Sequence, residues 1–256
     1  MNVDTDANRR LGTCFDLARP AHLSAWQLDN RAMISKRPRN EMRPCQLDHI
    51  VVTARSLSAG ATWAEAVLGV PLQAGGEHPG MGTHNALLRL GASIYLEVIA
   101  VNPAVPVPGR PRWFGLDRLA SDASPRLGSW VARTDDIEAA TSLGQSLGQI
   151  EGMTRNDLRW LITIPADGSL LGEGVAPTLI EWQTAQHPAV LLPDRGCTLV
   201  RLSGFHPDSD RIKHTLEPLG LAGAIALHPL NSGRPPYLVA EIETPHGLRT
   251  LGGPSS

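Results

Sequence analysis

The 256-residue chain carries 23 basic and 25 acidic residues, with 42% of positions hydrophobic and 19% charged. That is enough apolar material for a sizeable core and too little charge for a chain that stays unfolded throughout. A net charge of −2 leaves no field to recruit nucleic acid or an anionic membrane, and no run approaches the ~20 apolar residues of a membrane span. Cys14, Cys45 and Cys197 form no CxxC pair, so a reduced, cytoplasmic setting is the simplest expectation.

Residues 1–41 hold seven basic and five acidic residues, with scattered apolar positions and no apolar h-region, which rules out a secretory signal. Residues 1–45 are expected to be a disordered extension. Translation is expected to start at Met42, just ahead of a well-patterned strand.

From Leu47 the chain reads as a repeat. A β-branched strand, Leu47–Thr53, precedes a helix at about Ser58–Leu68, with Ser56 or Ser58 as cap and Gly69 as stop. A short strand near Val70–Gln73, a Gly-Pro-rich loop from Gly75 to Gly82, and strands at Asn85–Leu90 and Ile94–Ile99 complete a β-α-β-β-β module, residues 46–102. After a Pro-rich connector the pattern returns over residues 112–188. A strand at Leu127–Ala132 leads to a helix capped by Asp135 or Asp136 and ending at Gly148. Strands at Gln149–Met153, Leu158–Ile164 and Thr178–Gln183 follow. A fainter third pass, residues 197–252, offers a strand at Leu199–Leu202, a helix at Asp208–Leu219 and a strand at Tyr237–Glu243, read as a partial βαββ unit. Runs of several strands between helices, with no G-x-G-x-x-G after the first strand, point to an α+β fold and away from a doubly wound parallel sheet.

Strand alternation places His49 on one face with Val51, and Asp48 with Ile50 on the other. His49 is either a hydrogen-bonded core histidine or a ligand. Glu97 lies mid-strand between Leu96 and Val98, where a buried carboxylate needs a partner or an ion. Glu181 repeats this exception in the second module, and Tyr-Leu-Glu-Val superposes on Leu-Ile-Glu-Trp. One imidazole and two carboxylates would suit a divalent metal with open positions. Gly82-Thr83-His84-Asn85 offers His84 as an acid/base or a further ligand, and Asn85 as a carbonyl-orienting amide, unless both serve the loop. Ser129 occupies the position matching His49 and is a poor metal ligand. Trp130, Trp160 and Trp182 are read first as core, and the other histidines as surface or loop residues.

The stretches Leu47–Val52, His78–Asn85, Leu87–Gly91 and Tyr95–Ile99, together with Leu158-Arg159-Trp160, Pro177–Trp182 and His187-Pro188, resemble the vicinal oxygen chelate superfamily, within it the glyoxalase-like group. The resemblance covers residues 46–250. It implies paired β-α-β-β-β modules curved into a half-barrel around a cavity, with a C-terminal partial third unit. It also implies metal ligands on the first and last strands of each module, which carries over to His49, Glu97 and Glu181. The expected function is a divalent-metal enzyme (Fe, Mn, Zn, Ni or Co) of glyoxalase or dioxygenase type, acting on a small vicinally oxygenated molecule. Glu97, Glu181 or His84 would move the proton, and Asn85, Ser129 and Trp182 would contact the substrate. The alternative is a metal-free protein that sequesters a small molecule in the same cavity. A homodimer is plausible, since half-barrels of this superfamily often pair.

Overall fold

The computed structural model describes residues 43–143 and 147–254, so the expectations for the N-terminal extension through residue 42 lie outside the described part. The first module runs β1 (Gln46–Ala54), α1 (Leu57–Leu68), β2 (Gln73–His78), β3 (Thr83–Arg89) and β4 (Tyr95–Val101). Ser56 Oγ accepts the Ala59 N–H at the start of α1, and Gly69 ends the helix in the left-handed region (φ 74°) that only glycine adopts freely. The second module repeats the order with β5 (Arg126–Arg133), α2 (Ile137–Thr141), β6 (Gln149–Arg155), β7 (Leu158–Ile164) and β8 (Thr178–Trp182). The chain continues through α3 (Pro188–Leu191), β9 (Thr198–His206), α4 (Ser209–Leu216), β10 (Ala226–Pro229), β11 (Tyr237–Thr244) and β12 (Gly247–Gly252).

Both modules share one eight-stranded sheet, ordered β2-β3-β4-β1-β5-β8-β7-β6. In each, the first strand pairs in parallel with the last. The antiparallel β1–β5 pair joins the halves, so the two modules are related by pseudo-symmetry. The sheet curls until its two edges meet, where Arg155 of β6 packs against Gly76 of β2; a Cβ at Gly76 would lie 2.6 Å from Arg155 Cδ. This is the α+β half-barrel expected from the repeat.

The convex face carries the larger core. Ile50, Val52, Leu96, Val98, Trp130 and Leu179 pack there with Leu68 of α1 and with Leu202, Leu238 and Ile242 of the second, four-stranded sheet. Each fully buried aliphatic side chain of this kind contributes roughly 1.5–3 kcal/mol. The third unit holds β10 and β12 in addition to the strands read from sequence, and its order, β10-β9-β11-β12, differs from that of the modules. It covers the back of the half-barrel through the apolar face of β11, whose residues alternate between buried and partly exposed.

The first module departs from expectation between Val70 and Gly82. The strand expected near Val70–Gln73 begins only at Gln73, and the first half of the stretch read as a Gly-rich loop, Gly75 to His78, belongs to β2. This strand pairs with β3 through a register shift between Ala74 and Glu77. Gly75 is required at that bulge, because a Cβ there would lie 2.0 Å from Asn85 Oδ1.

Candidate functional site

On the concave face, β1 carries a second bulge. Leu47 pairs with Ala132 and His49 with Val131, leaving Asp48 without a cross-strand partner. The extra residue breaks strict alternation, so Asp48 reaches the same side as His49. Asp48 is fully buried (0% exposed). Its Oδ1 lies 2.6 Å from His49 Nδ1, and its Oδ2 accepts from Trp182 Nε1 at 3.0 Å and from His187 Nε2 at 2.8 Å. The Ala189 N–H donates to His187 Nδ1, which assigns the His187 proton to Nε2 and hence to Asp48. Burial alone would raise the Asp48 carboxyl, but the bonds from His187 and His49 hold it well below the usual carboxylate range.

His49 is 3% exposed and stacks on Tyr95 with ring centroids 4.4 Å apart. Its Nε2 faces Glu97 Oε2 at 3.6 Å. Burial opposes the charged imidazole; the flanking Asp48 and Glu97 carboxylates outweigh it and push His49 up to about 9. Glu97, 7% exposed, shows the opposite balance. Burial raises it, while His49, His78 and Asn85 bring it down to about 2. At neutral pH the foot of the cavity is therefore a carboxylate–imidazolium–carboxylate array.

Asn85 donates through Nδ2 to Glu97 Oε1 at 2.5 Å. Its Oδ1 accepts from the Gly76 N–H at 2.8 Å and from Arg155 Nη1 at 3.2 Å, which assigns the amide orientation. Arg155 Nη1 also lies 3.3 Å from His78 Nε2, and His78 Nδ1 lies 3.2 Å from Thr83 Oγ1. Burial lowers His78 to about 4, so it is neutral here, accepts at Nε2 and carries its proton on Nδ1. Arg155 comes from the second module and reaches across to two residues of the first.

Aromatic rings form the other wall. Trp160 and Trp182 sit 5.5 Å apart on β7 and β8, with Ile162 and Ile180 between the same strands. Trp113 and Phe114 close the top from the connector that follows the first module. Phe114 is held at φ 55°, a strained setting for a non-glycine residue. The ion pairs Arg112–Asp117 and Arg118–Asp167 anchor this segment. The space between these walls, open solvent at the mouth included, is about 390 Å³.

The sequence-derived residues divide between the two faces of the sheet. His49, Asn85, Glu97 and Trp182 line the cavity. Ser129 is buried beside Val51 on the same strand pair, and its hydroxyl approaches the Trp130 carbonyl at 3.5 Å. His84 lies on the side of β3 opposite Asn85, with Nε2 buried and without a partner among the described residues. Glu181 lies on the side of β8 opposite Ile180 and Trp182. Its Oε2 accepts the Ile137 N–H at 2.8 Å at the start of α2, and its Oε1 accepts from Gln183 Nε2 at 2.5 Å. The expected His49–Glu97–Glu181 ligand set therefore does not assemble.

The donor chemistry agrees. His49 and Glu97 come together, but the cavity-facing positions of β8 are Ile180 and Trp182. Among the described residues no three His, Cys, Asp or Glu side chains converge as a metal site. The residues present do not fit the divalent ion that the superfamily resemblance implies. Asp48, His78, Arg155 and His187 were not picked out from sequence. The bulge hides Asp48, and the two histidines have their partners far along the chain, His78 with Arg155 and His187 with Asp48. Trp130 and Trp160 meet the expectation as core, Trp130 Nε1 donating to the Val175 carbonyl, and Trp160 also lines the cavity together with the partly buried Trp182.

The sequence matches the Glyoxalase-like domain family over residues 47–220. No curated protein matches it at a significant level. Among solved structures, a hypothetical protein from Staphylococcus aureus aligns at 14% identity over 82% of this chain and 87% of its own, with a TM-score of 0.48. Methylmalonyl-CoA epimerase in complex with methylmalonyl-CoA and NH4+ aligns at 16% identity over 57% of this chain and 98% of its own (TM-score 0.39). The Mycobacterium tuberculosis methylmalonyl-CoA epimerase aligns at 16% identity over 57% and 91% (TM-score 0.36). No helix among the described residues is long and apolar enough to cross a membrane. With more than half of its length matched and a paired-module half-barrel curled around a cavity, the chain belongs to the Glyoxalase-like domain family of the vicinal oxygen chelate superfamily.

Proposed function

We propose that the cavity binds a small, vicinally oxygenated molecule and moves a proton on it with the Asp48–His49–Glu97 array, without a metal ion. The observation that carries this reading is the imidazolium Nε2 of His49 facing the Glu97 carboxylate at 3.6 Å at the foot of the cavity. That separation is longer than a hydrogen bond, so both groups have capacity left for a ligand. A substrate carbonyl oxygen takes the Nε2–H of His49, and Glu97 accepts the proton from the adjacent carbon. As the carbonyl oxygen gains negative charge, the imidazolium and the Asn85 amide stabilise it and orient its partner. Once His49 turns to the substrate, Glu97 loses the neighbour that depresses its basicity and becomes a better base. Asp48 is a positioning residue that keeps His49 protonated and fixed.

Loss of the carbon-bound proton to D2O, followed by ¹H NMR across small 2-oxo and 2-hydroxy carbonyl compounds in the presence of EDTA, tests this reading. Exchange by the wild-type protein and its loss in Glu97→Gln are expected. Activity that vanishes in EDTA and returns with Mn, Fe, Ni, Co or Zn would overturn it. The paired Trp160 and Trp182 rings favour a second reading, a protein that captures a small molecule without changing it. Tight binding with no exchange of any compound would establish that one instead.

A further inference from the structure

Arg155 is the one group on the cavity wall whose bonding within the protein leaves a charge and two donor nitrogens over. Only its Nη1 has partners among the described residues, and both are neutral acceptors, Asn85 Oδ1 and His78 Nε2. No carboxylate of the described residues lies within salt-bridge distance of it. The other cavity charges are already matched, His49 lying between Asp48 and Glu97. The local backbone makes room for the guanidinium, since a side chain at Gly76 would collide with Arg155 Cδ at 2.6 Å. Two fixed acceptors hold the planar head on the cavity wall, its Nη2 and Nε donors without partners among the described residues.

We propose that Arg155 anchors a carboxylate on the ligand, and that the site selects small monocarboxylic acids whose short flat or apolar body lies against Trp160 and Trp182. This rests on the cavity being the ligand site, as proposed above, and names the class of molecule it takes. A guanidinium presents two parallel N–H donors that match a carboxylate edge to edge. Phosphate would bring up to two negative charges toward Glu97, and no second unmatched cation lines the cavity to meet them. Beyond the anchor, the aromatic faces and Ile180 offer apolar contact, and the remaining charged groups, His49 and Glu97, face each other, so the rest of the ligand is uncharged.

Binding of benzoate, its neutral isostere benzamide, and inorganic phosphate, measured by ligand-observed NMR and tryptophan fluorescence on the full chain, tests the assignment. Benzoate is expected to bind at least about tenfold more tightly than benzamide, and phosphate more weakly than either. Arg155→Gln is expected to abolish the preference for benzoate while leaving benzamide binding unchanged. Arg155→Lys, which keeps the charge without the planar fork, should retain part of it. Circular-dichroism melts of both variants confirm that they fold. Equal affinity for benzoate and benzamide, an equal loss of both in Arg155→Gln, tighter binding of phosphate, or no binding of either aromatic compound would overturn the assignment. The two readings fail separately in the wild-type protein: a benzoate preference without exchange of any carbon-bound proton overturns proton transfer alone, and exchange without a benzoate preference overturns the Arg155 anchor alone.

Discussion

The first module meets the cavity with His49, His78, Asn85 and Glu97, whereas the second meets it with Trp160, Ile162, Ile180 and Trp182 and a single charged group, Arg155. The strands that carry them are related by pseudo-symmetry, and their pairing explains the difference. In the first module Val51, facing inward, lies opposite Glu97. In the second, inward-facing Val131 lies opposite Thr178, and Ile180 follows two residues later on the same face. Thr178 thus takes the place of Glu97, and Glu181, three residues further on, points to the other face, because an odd shift along a strand crosses the whole thickness of the sheet. The two modules share a strand order while their walls differ in chemistry, one polar and charged, the other apolar and aromatic apart from Arg155. A site built this way can hold a proton between side chains at one wall and a flat molecule at the other. It does not bring ligands from both halves to one ion.

The largest expected effect is on the charged wall. Glu97→Gln keeps the shape and the Asn85 neighbour but removes the base, and solvent exchange should fall by roughly 10²–10⁴-fold by NMR. The same change on the other face, Glu181→Gln, should leave exchange unaltered.

Asp48 joins the walls, holding His49 of the first module and Trp182 of the second. Asp48→Asn removes a buried charge facing an imidazolium and should cost about 3–5 kcal/mol in urea unfolding. If the loss is under about 1 kcal/mol, the two walls are not coupled through this residue.

Protonation sharpens the comparison without mutation. His49 is raised from 6.5 to about 9, so its contribution to stability is fully present below pH 6.5 and declines as pH rises through about 9. Glu97 is lowered from 4.5 to about 2, so its contribution is present above pH 4.5 and is lost as pH falls through about 2. Urea midpoints followed across this range should drop at the alkaline end in the wild type, and the drop should vanish in His49→Gln. Exchange should fall over the same alkaline interval, because the neutral imidazole no longer donates to the substrate.

The smallest effect concerns the helix cap. Glu181 Oε2 accepts the Ile137 N–H, a bond that the amide oxygen of Glu181→Gln can also accept. Its stability should change by no more than about 0.5–1.5 kcal/mol. A larger loss, or a change in exchange rate, would mean that Glu181 acts at the cavity after all.

Much of the architecture was legible along the chain. The two βαβββ modules, the Ser56 cap, the Gly69 stop and the inward Glu97 all follow from local pattern, because caps and strand alternation act over a few residues. His49 and Asn85 were legible for the same reason. Pattern failed where a bulge intervened. Gly75-Gly76 reads as a loop yet forms a strand edge, since the glycines let the backbone approach Asn85. Asp48 reads as facing away from His49 yet binds it, since the bulge in β1 shifts the alternation. His78 and His187 read as loop histidines and are part of the site, because their partners Arg155 and Asp48 lie 77 and 139 residues away. The third unit reads as a fragment of the repeat, but its strand order is its own, and order within a sheet is a matter of long-range pairing.

The sequence by itself determined the modules, their strands and helices, and the presence of a histidine and a glutamate where a module's first and last strands meet. Those are properties of spacing, and spacing is written residue by residue. Only the tertiary structure decided which carboxylate faces the cavity, that Asp48 and not Glu181 completes the charged array, and that Arg155 arrives from the opposite edge. Those depend on the register of pairing and on the closure of the curled sheet, where a single-residue shift turns a side chain from the cavity to the far face.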